Sequence, residues 1–346
     1  MSLTYVEMKD QYNSLRKTFD YIKEKREEII KFYKEKSPKS LTYIGCGSGY
    51  CLCRSAEVSA RVRMGVPSSA IAAGDMMLNF RSYGKVLDGT MIMASSRSGS
   101  TSEVLKAIEN VKSVTEVPVF AITCVENSSL GEIADFVLEL PWAFDKSVCQ
   151  TRCVVNLYTA NLLVIAYLSG NNALIQDIES AIEIGNRYMD KYEESLKEIA
   201  QSEWSYAVLL ADGEVQGIAG EGAMAFTEIA QVCAQAFHFL DVRHGPMVMV
   251  DDKTLVIVHL TSRYFDYQKA LISDIIKRGA RVIAYSSEPL DGLGEAVIQI
   301  CSGKELDSAV CGIPFIFLPQ ALAYYKAVQK HIDPDKPQGL QAWIKL

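Results

Sequence analysis

Four apolar runs recur in the same order in the two halves of this chain, and that recurrence limits the possible folds more than any other feature. Leu41 to Ile44 is answered by Tyr206 to Leu210, Met91 to Ser96 by Leu255 to Leu260, Val119 to Thr123 by Val282 to Ser286, and Phe136 to Leu140 by Ala296 to Ile300. The offset is about 160 to 165 residues each time, far too long for a solenoid, so one domain type occurs twice. Helical patterns separate the runs, and alternating strand and helix imply a parallel sheet covered on both faces. The expected fold class is therefore α/β, with two tandem doubly wound parallel-sheet domains and a helical leader. The leader should occupy residues 1–38, the first domain 39–195 and the second 196–346. Helices from Val154 to Leu168 and from Asp177 to Ile199 should bridge the two, with the charged run Asp190 to Glu203 at the boundary.

Composition sets the class of partner. A chain of 346 residues suits two compact domains, and 49% hydrophobic with 22% charged residues describes an ordinary soluble protein. The net charge of -7, with no basic block to offset it, argues against a nucleic-acid partner. Lys9, Arg16, Lys17 and Lys23 near the N-terminus argue against a signal peptide or membrane anchor. The most apolar long run, Val154 to Leu168, falls short of the ~20 residues of a membrane span. An odd count of nine cysteines without a secretory signal reads as reduced thiols, hence a cytoplasmic setting. Cys46, Cys51 and Cys53 lack the second pair or histidine cluster that would complete a zinc site, so no metal is expected.

The stretch with the most chemistry is Thr90 to Val111. A short apolar strand ends in Ser95, Ser96, Arg97, Ser98, Gly99, Ser100 and Thr101, then becomes a helix marked by Val104, Leu105, Ile108 and Val111. Ser100 and Glu103 have the spacing of a capping box. Unpaired amides and the positive end of the helix dipole would make the loop an anion seat, and the hydroxyls with Arg97 would complete a cage for a phosphate. The second copy has LTSRYFDYQ here, without the serine run, so one phosphate site per chain is expected. The earlier loop Gly45-Cys46-Gly47-Ser48-Gly49 lacks the third glycine and the acidic residue of a dinucleotide fingerprint. Its glycines suit a close approach of backbone to sugar or phosphate.

A second candidate region is Gly220 to Pro246. Glu221 and Glu228 lie two turns apart on one face of an apolar helix, either as hydrogen-bonded scaffolding or as a general base. Of four histidines, His259 reads as a core residue inside a strand. His238 and His331 lack acidic company. His244 stands in the turn Arg243-His244-Gly245-Pro246, where an exposed imidazole is more often functional. Neither a G-x-S-x-G elbow nor a P-loop occurs.

Together these motifs resemble a tandem pair of sugar isomerase (SIS) domains, as in the isomerase half of glucosamine-fructose-6-phosphate aminotransferase, the phosphosugar isomerases and the fructosamine 6-phosphate deglycases. SSRSGSTSE is similar to the family's S-x-S-G-x-T loop, EGAMAFTEI and DVRHGP to its E-G-A-x-x-x-K-E and K-H-G-P segments, and DPDKPQGL to its closing D-x-D-x-P-R-x-L. The resemblance implies flavodoxin-like three-layer domains and no cofactor. It implies that Ser96, Arg97, Ser98 and Thr101 hold a sugar phosphate and that Cys46, Gly47, Ser48 and Gly49 line the first loop. It places Glu221 at the head of the helix motif and Val148, in SVCQTR, beside the sugar. It also implies that Glu228 moves a proton between C1 and C2 and that His244, from a neighbouring subunit, opens the sugar ring. A homodimer or larger homo-oligomer follows from that last role.

Two departures narrow the chemistry. Ala225 and Ala342 stand where the aminotransferase has lysines, the second being the one that forms an imine with the ketose; Lys345 could replace it only by a shifted alignment. Making an amino sugar needs that activation and a source of ammonia. Breaking down a 6-phosphorylated ketosamine does not, because the amine is already on C1. The expectation is a deglycase of the fructosamine 6-phosphate type, with a plain aldose-ketose isomerase or a non-catalytic phosphosugar sensor as alternatives.

Overall fold

The computed structural model describes residues 2–342 and 346 and divides into two compact units. One comprises Lys9–Glu179 with Gln341–Leu346; the other comprises Met1–Met8 with Ser180–Leu340. The long helix Asn172–Gln201 carries the chain from the one into the other.

In the first unit β1 (Ser40–Gly45), β2 (Ser68–Ala72), β3 (Thr90–Ser96), β4 (Val119–Thr123) and β5 (Phe136–Glu139) form a parallel sheet in the order β2-β1-β3-β4-β5. Every residue of β3 and β4 is buried, which is why both read as unbroken apolar runs and not as alternating ones. On one face Ile92, Ala94 and Val119 pack against Val104, Ile108 and Val111 of the helix Ser102–Lys112. The helices Ser48–Met64 and Gln11–Lys36 pack on Arg152–Ser169, and Phe32 joins the ring pair Phe120–Phe136. The helix Arg152–Ser169 spans 18 residues, longer than its sequence pattern suggested. It is long and apolar enough to cross a membrane, but 78% of it is buried inside the fold, as suits a core helix.

In the second unit β6 (Tyr206–Leu210), β7 (Cys233–Phe237), β8 (Thr254–His259), β9 (Arg281–Ser286) and β10 (Val297–Cys301) form a parallel sheet in the order β10-β9-β8-β6-β7. Counted from its own first strand this is again 2-1-3-4-5, the flavodoxin-like order, so the repeat in the sequence is a repeat of topology. Val208, Val256, Val258 and Val282 meet Leu271, Ile272 and Ile275 of the helix Phe265–Lys277. The helix Gln216–Ile229 packs on the helix Phe317–Gln329. A side chain at Gly222 would lie 2.6 Å from Leu209 Cδ2 and 2.7 Å from Pro319 Cγ, so this helix needs its glycine to seat on the sheet.

Strand β7 has no counterpart in the sequence reading. Its residues, Cys233-Ala234-Gln235-Ala236-Phe237, are small or polar and only partly covered, because it is an edge strand bonded to β6 alone. An edge strand carries no apolar run to betray it.

His259, at the end of β8, is 5% exposed and stacks on Tyr285. Burial lowers its pKa from 6.5 to about 4, with the Asp212 carboxylate opposing the shift. Below pH 6.5 the unfolded chain takes up a proton that the folded chain refuses, so stability should fall as pH drops from 6.5 to 4 and then level off. The loss should reach about 3 kcal/mol. Urea midpoints across that range should fall more steeply for the wild type than for His259→Phe; parallel curves would disprove the assignment.

Candidate functional site

The loop between β3 and the helix Ser102–Lys112 is held by its own hydroxyls. Ser96 Oγ accepts from the Gly99 amide at 3.1 Å and lies 3.4 Å from Thr101 Oγ1, while Ser98 Oγ accepts from the Ser100 amide at 3.1 Å. Ser95 Oγ, beneath the loop, accepts from Asn161 Nδ2 at 3.0 Å. The capping box expected at Ser100 and Glu103 does not form. Thr101 is the N-cap and makes no side-chain cap bond, and Ser100 Oγ donates back to the Ser98 carbonyl. The hydroxyls order the loop, leaving the helix amides to meet an incoming group.

Gly99 makes the turn possible. Its φ is +59°, and a Cβ there would lie 2.3 Å from Ser128 Oγ and 2.8 Å from Thr123 Oγ1. Gly49 has a related role, since a Cβ would approach the Ser95 carbonyl to 3.0 Å. The first glycine loop thus lies directly against the serine loop, at the β1/β3 position where strand order reverses and ligands bind in open α/β sheets.

Between them is a cavity of about 40 Å³ that opens to solvent. Cys46, Gly49, Ser96, Arg97, Ser98 and Thr101 line it, together with Ser95, Val104, Gln150, Leu157 and Ala342. Six of the residues chosen from sequence are therefore brought together. Gly47 and Ser48 belong to the same turn but are not part of the wall. Val148 is half-buried and also off the wall; Gln150, two residues on, supplies the contact from that segment. Asp145 fixes this segment by accepting from the Thr151 and Cys153 amides at 2.8 and 2.9 Å. The polar side chain of Gln150 just ahead of a buried helix was the available signal.

Arg97 is 4% exposed and directs its guanidinium to backbone: Nη1 donates to the Ser147 carbonyl at 2.9 Å and Nη2 to the Ala342 carbonyl at 2.7 Å. It ties the loop to two other wall segments, and both of these bonds go to backbone. Arg97→Met should leave both carbonyls unsatisfied and destabilise the protein by about 2–4 kcal/mol. A urea titration in which this variant matched the wild type would contradict the tie.

Cys46 contributes no nucleophile. Burial and the nearby Glu103 carboxylate raise its thiol to about 11, and burial raises Cys53 further, so both stay protonated at neutral pH. Among the described residues no group of three or more His, Cys, Asp or Glu could hold a metal ion.

Glu221, Glu228 and His244 belong to the other unit. Glu221 is 2% exposed within the helix Gln216–Ile229, and Glu228 is half-buried near its end. His244 ends the short helix Asp241–His244 and is exposed; Arg243 beside it is anchored to Asp274, whose carboxyl that guanidinium holds below its ordinary value. His238 is not without acidic company, since its Nδ1 lies 3.0 Å from Asp212 Oδ1. Ala225 is buried, Ala342 lines the first unit's cavity, and Lys345 lies outside the described residues.

Residues 202–306 match the family model of the SIS domain. The match lies within the second unit and takes in β6 to β10 with Glu221, Glu228 and His244. The chain is similar to glutamine-fructose-6-phosphate aminotransferase (isomerizing) of Methanothermobacter thermautotrophicus, at 26% identity over 88% of this chain and 51% of that protein. For the Sulfurisphaera tokodaii enzyme of the same name the figures are 26%, 98% and 54%. The chain spans about half the length of the curated relatives it matches. Among solved structures, glucosamine-6-phosphate deaminase of Thermotoga maritima has the same fold at TM-score 0.83 and 23% identity, each chain being covered in full. Tagatose-6-phosphate ketose/aldose isomerase of Escherichia coli has it at TM-score 0.86 and 20% identity, with 99% of this chain and 96% of that one covered.

Proposed function

We propose that this protein is a phosphosugar enzyme that deglycates a 6-phosphorylated ketosamine to an aldose 6-phosphate and a free amine. The observation that carries the reading is the hydroxyl-lined cavity at the helix N-terminus, in a chain whose residues 202–306, Glu228 and His244 among them, match the SIS family model. The equal strand order of the two sheets supports a tandem SIS reading, with functional divisions at 1–38, 39–195 and 196–346.

In this reading Ser96, Ser98 and Thr101 hold the phosphate with the amides of the loop, Cys46 to Gly49 and the segment of Val148 and Gln150 border the sugar, and Glu221 holds the helix motif in place. His244, from a second copy of the chain, passes a proton to the ring oxygen as the ring opens. Glu228 takes a proton from C1 of the ketosamine to give an enaminol and returns a proton to C2. The result is an imine at C1. Water adds to that imine, the amine leaves with a proton, and the aldehyde of the aldose 6-phosphate remains. Ala225 and Ala342 favour this direction, since neither can form an imine with a ketose.

The Escherichia coli structure named as a ketose/aldose isomerase of a phosphosugar suggests the runner-up, the same proton shift without an amine. A panel of 6-phosphorylated fructosamines, assayed for aldose 6-phosphate and amine in equal amounts, tests the proposal. Isomerisation of a simple ketose phosphate with no fructosamine split would favour the runner-up.

A further inference from the structure

The second sheet has its own crevice, at the carboxyl ends of β8 and β9, where nothing in the sequence suggested a site. It has a volume of about 630 Å³, opens to solvent and is lined by His259, Thr261, Ser262, Arg263, Ser287 and Glu305, among others. It occupies in this sheet the place that the serine loop occupies in the first, beyond the third strand of a 2-1-3-4-5 order.

Its chemistry differs from that of the serine loop. His259 is 5% exposed at its floor, and its Nε2 has no hydrogen-bond partner among the described residues. A buried polar atom left in that state costs about 1–3 kcal/mol, which a ligand or a bound water would recover. At the mouth Arg263 is outnumbered by the Glu288 and Glu305 carboxylates, so a phosphate would meet net negative charge. Leu260, Leu290 and Leu306 give the wall apolar faces between its hydroxyls. Tyr264, next to Arg263, is held at φ +56°, a conformation that costs a bulky residue roughly 1–2 kcal/mol. It is 75% exposed, and Tyr267, one turn on, is 63% exposed. An exposed aromatic ring next in sequence to Arg263 of the wall offers an apolar face of the kind on which a sugar ring stacks.

We infer that this crevice binds an uncharged hexose-type polyol, separately from the phosphate cavity of the first unit. Neutral hydroxyls and a neutral imidazole suit sugar hydroxyls, the apolar walls suit the ring faces, and the mouth turns phosphates away. This binding stands whether or not the deglycase reading does.

Ligand-observed NMR with D-glucose on the full chain tests it. Glucose should bind, and inorganic phosphate should not displace it. Ser262→Trp, an exposed position at the mouth, should weaken glucose about tenfold or more while leaving phosphate binding unchanged. His259→Phe, which keeps the shape of the floor, should weaken it in the same direction. No glucose binding, displacement of glucose by phosphate, or equal affinity in Ser262→Trp would each overturn the inference, as would binding of free lysine in place of glucose.

Discussion

Glu228→Gln should leave ligand affinity close to that of the wild type and lower turnover of a 6-phosphorylated ketosamine by about 100- to 10,000-fold, the range for losing a general acid-base group. Glutamine keeps the size of the half-buried side chain and its capacity to hydrogen bond, so the helix Gln216–Ile229 should stay seated on β6. What it lacks is the ability to take a proton from C1 and give it up at C2. The loss should therefore appear in kcat with KM little changed, since an interaction made only in the transition state is being removed. A drop confined to KM would mean that Glu228 binds the sugar and another group moves the proton. The sensor alternative predicts no turnover in either protein and equal binding in both.

Gly99→Ala should be nearly as damaging, for a different reason. The residue sits at φ +59°, and the added methyl would fall 2.3 Å from Ser128 Oγ and 2.4 Å from Ser128 Cβ. Ser128 cannot swing away freely, because it is buried and its Oγ accepts from the Gly131 amide as the cap of the next helix. Left-handed backbone and overpacking together should cost about 2–4 kcal/mol. The Gly99 amide also donates to Ser96 Oγ, so any shift passes directly to the hydroxyls of the loop. Phosphate affinity, read by titration calorimetry, should fall along with the unfolding midpoint. A variant of normal stability and normal phosphate affinity would show that the loop does not hold the anion.

How far the sequence carried can be judged from particular residues. Strands β1, β3, β4 and β6 were legible because strands buried on both faces must be apolar throughout, and such runs are visible without any partner. The edge strand β7 was not, because pairing on one side only relaxes that demand. The serine loop announced itself by composition, but the direction of each hydroxyl did not. Ser100 and Glu103 have the spacing of a capping box, yet the helix starts later, at Ser102, after Ser98 and Ser100 bond to each other. Arg97 shows the same limit. Its presence among serines suggested a cation for an anion, whereas its partners are the carbonyls of Ser147 and Ala342, 50 and 245 residues away in the chain. Nothing in local spacing reports such a contact. The pairing of His238 with Asp212, on the loops after neighbouring strands, was hidden for the same reason.

The central claim is that a proton leaves C1 of a ketosamine and that the amine departs afterwards. A ketosamine 6-phosphate carrying two deuterium atoms at C1 reports on it directly. The account predicts an aldose 6-phosphate with a single deuterium at C1, the other having passed through Glu228 to C2 or to solvent. Recovery of a ketose 6-phosphate with both deuterium atoms still at C1 would mean that the carbon-nitrogen bond breaks without any proton shift, and would contradict it.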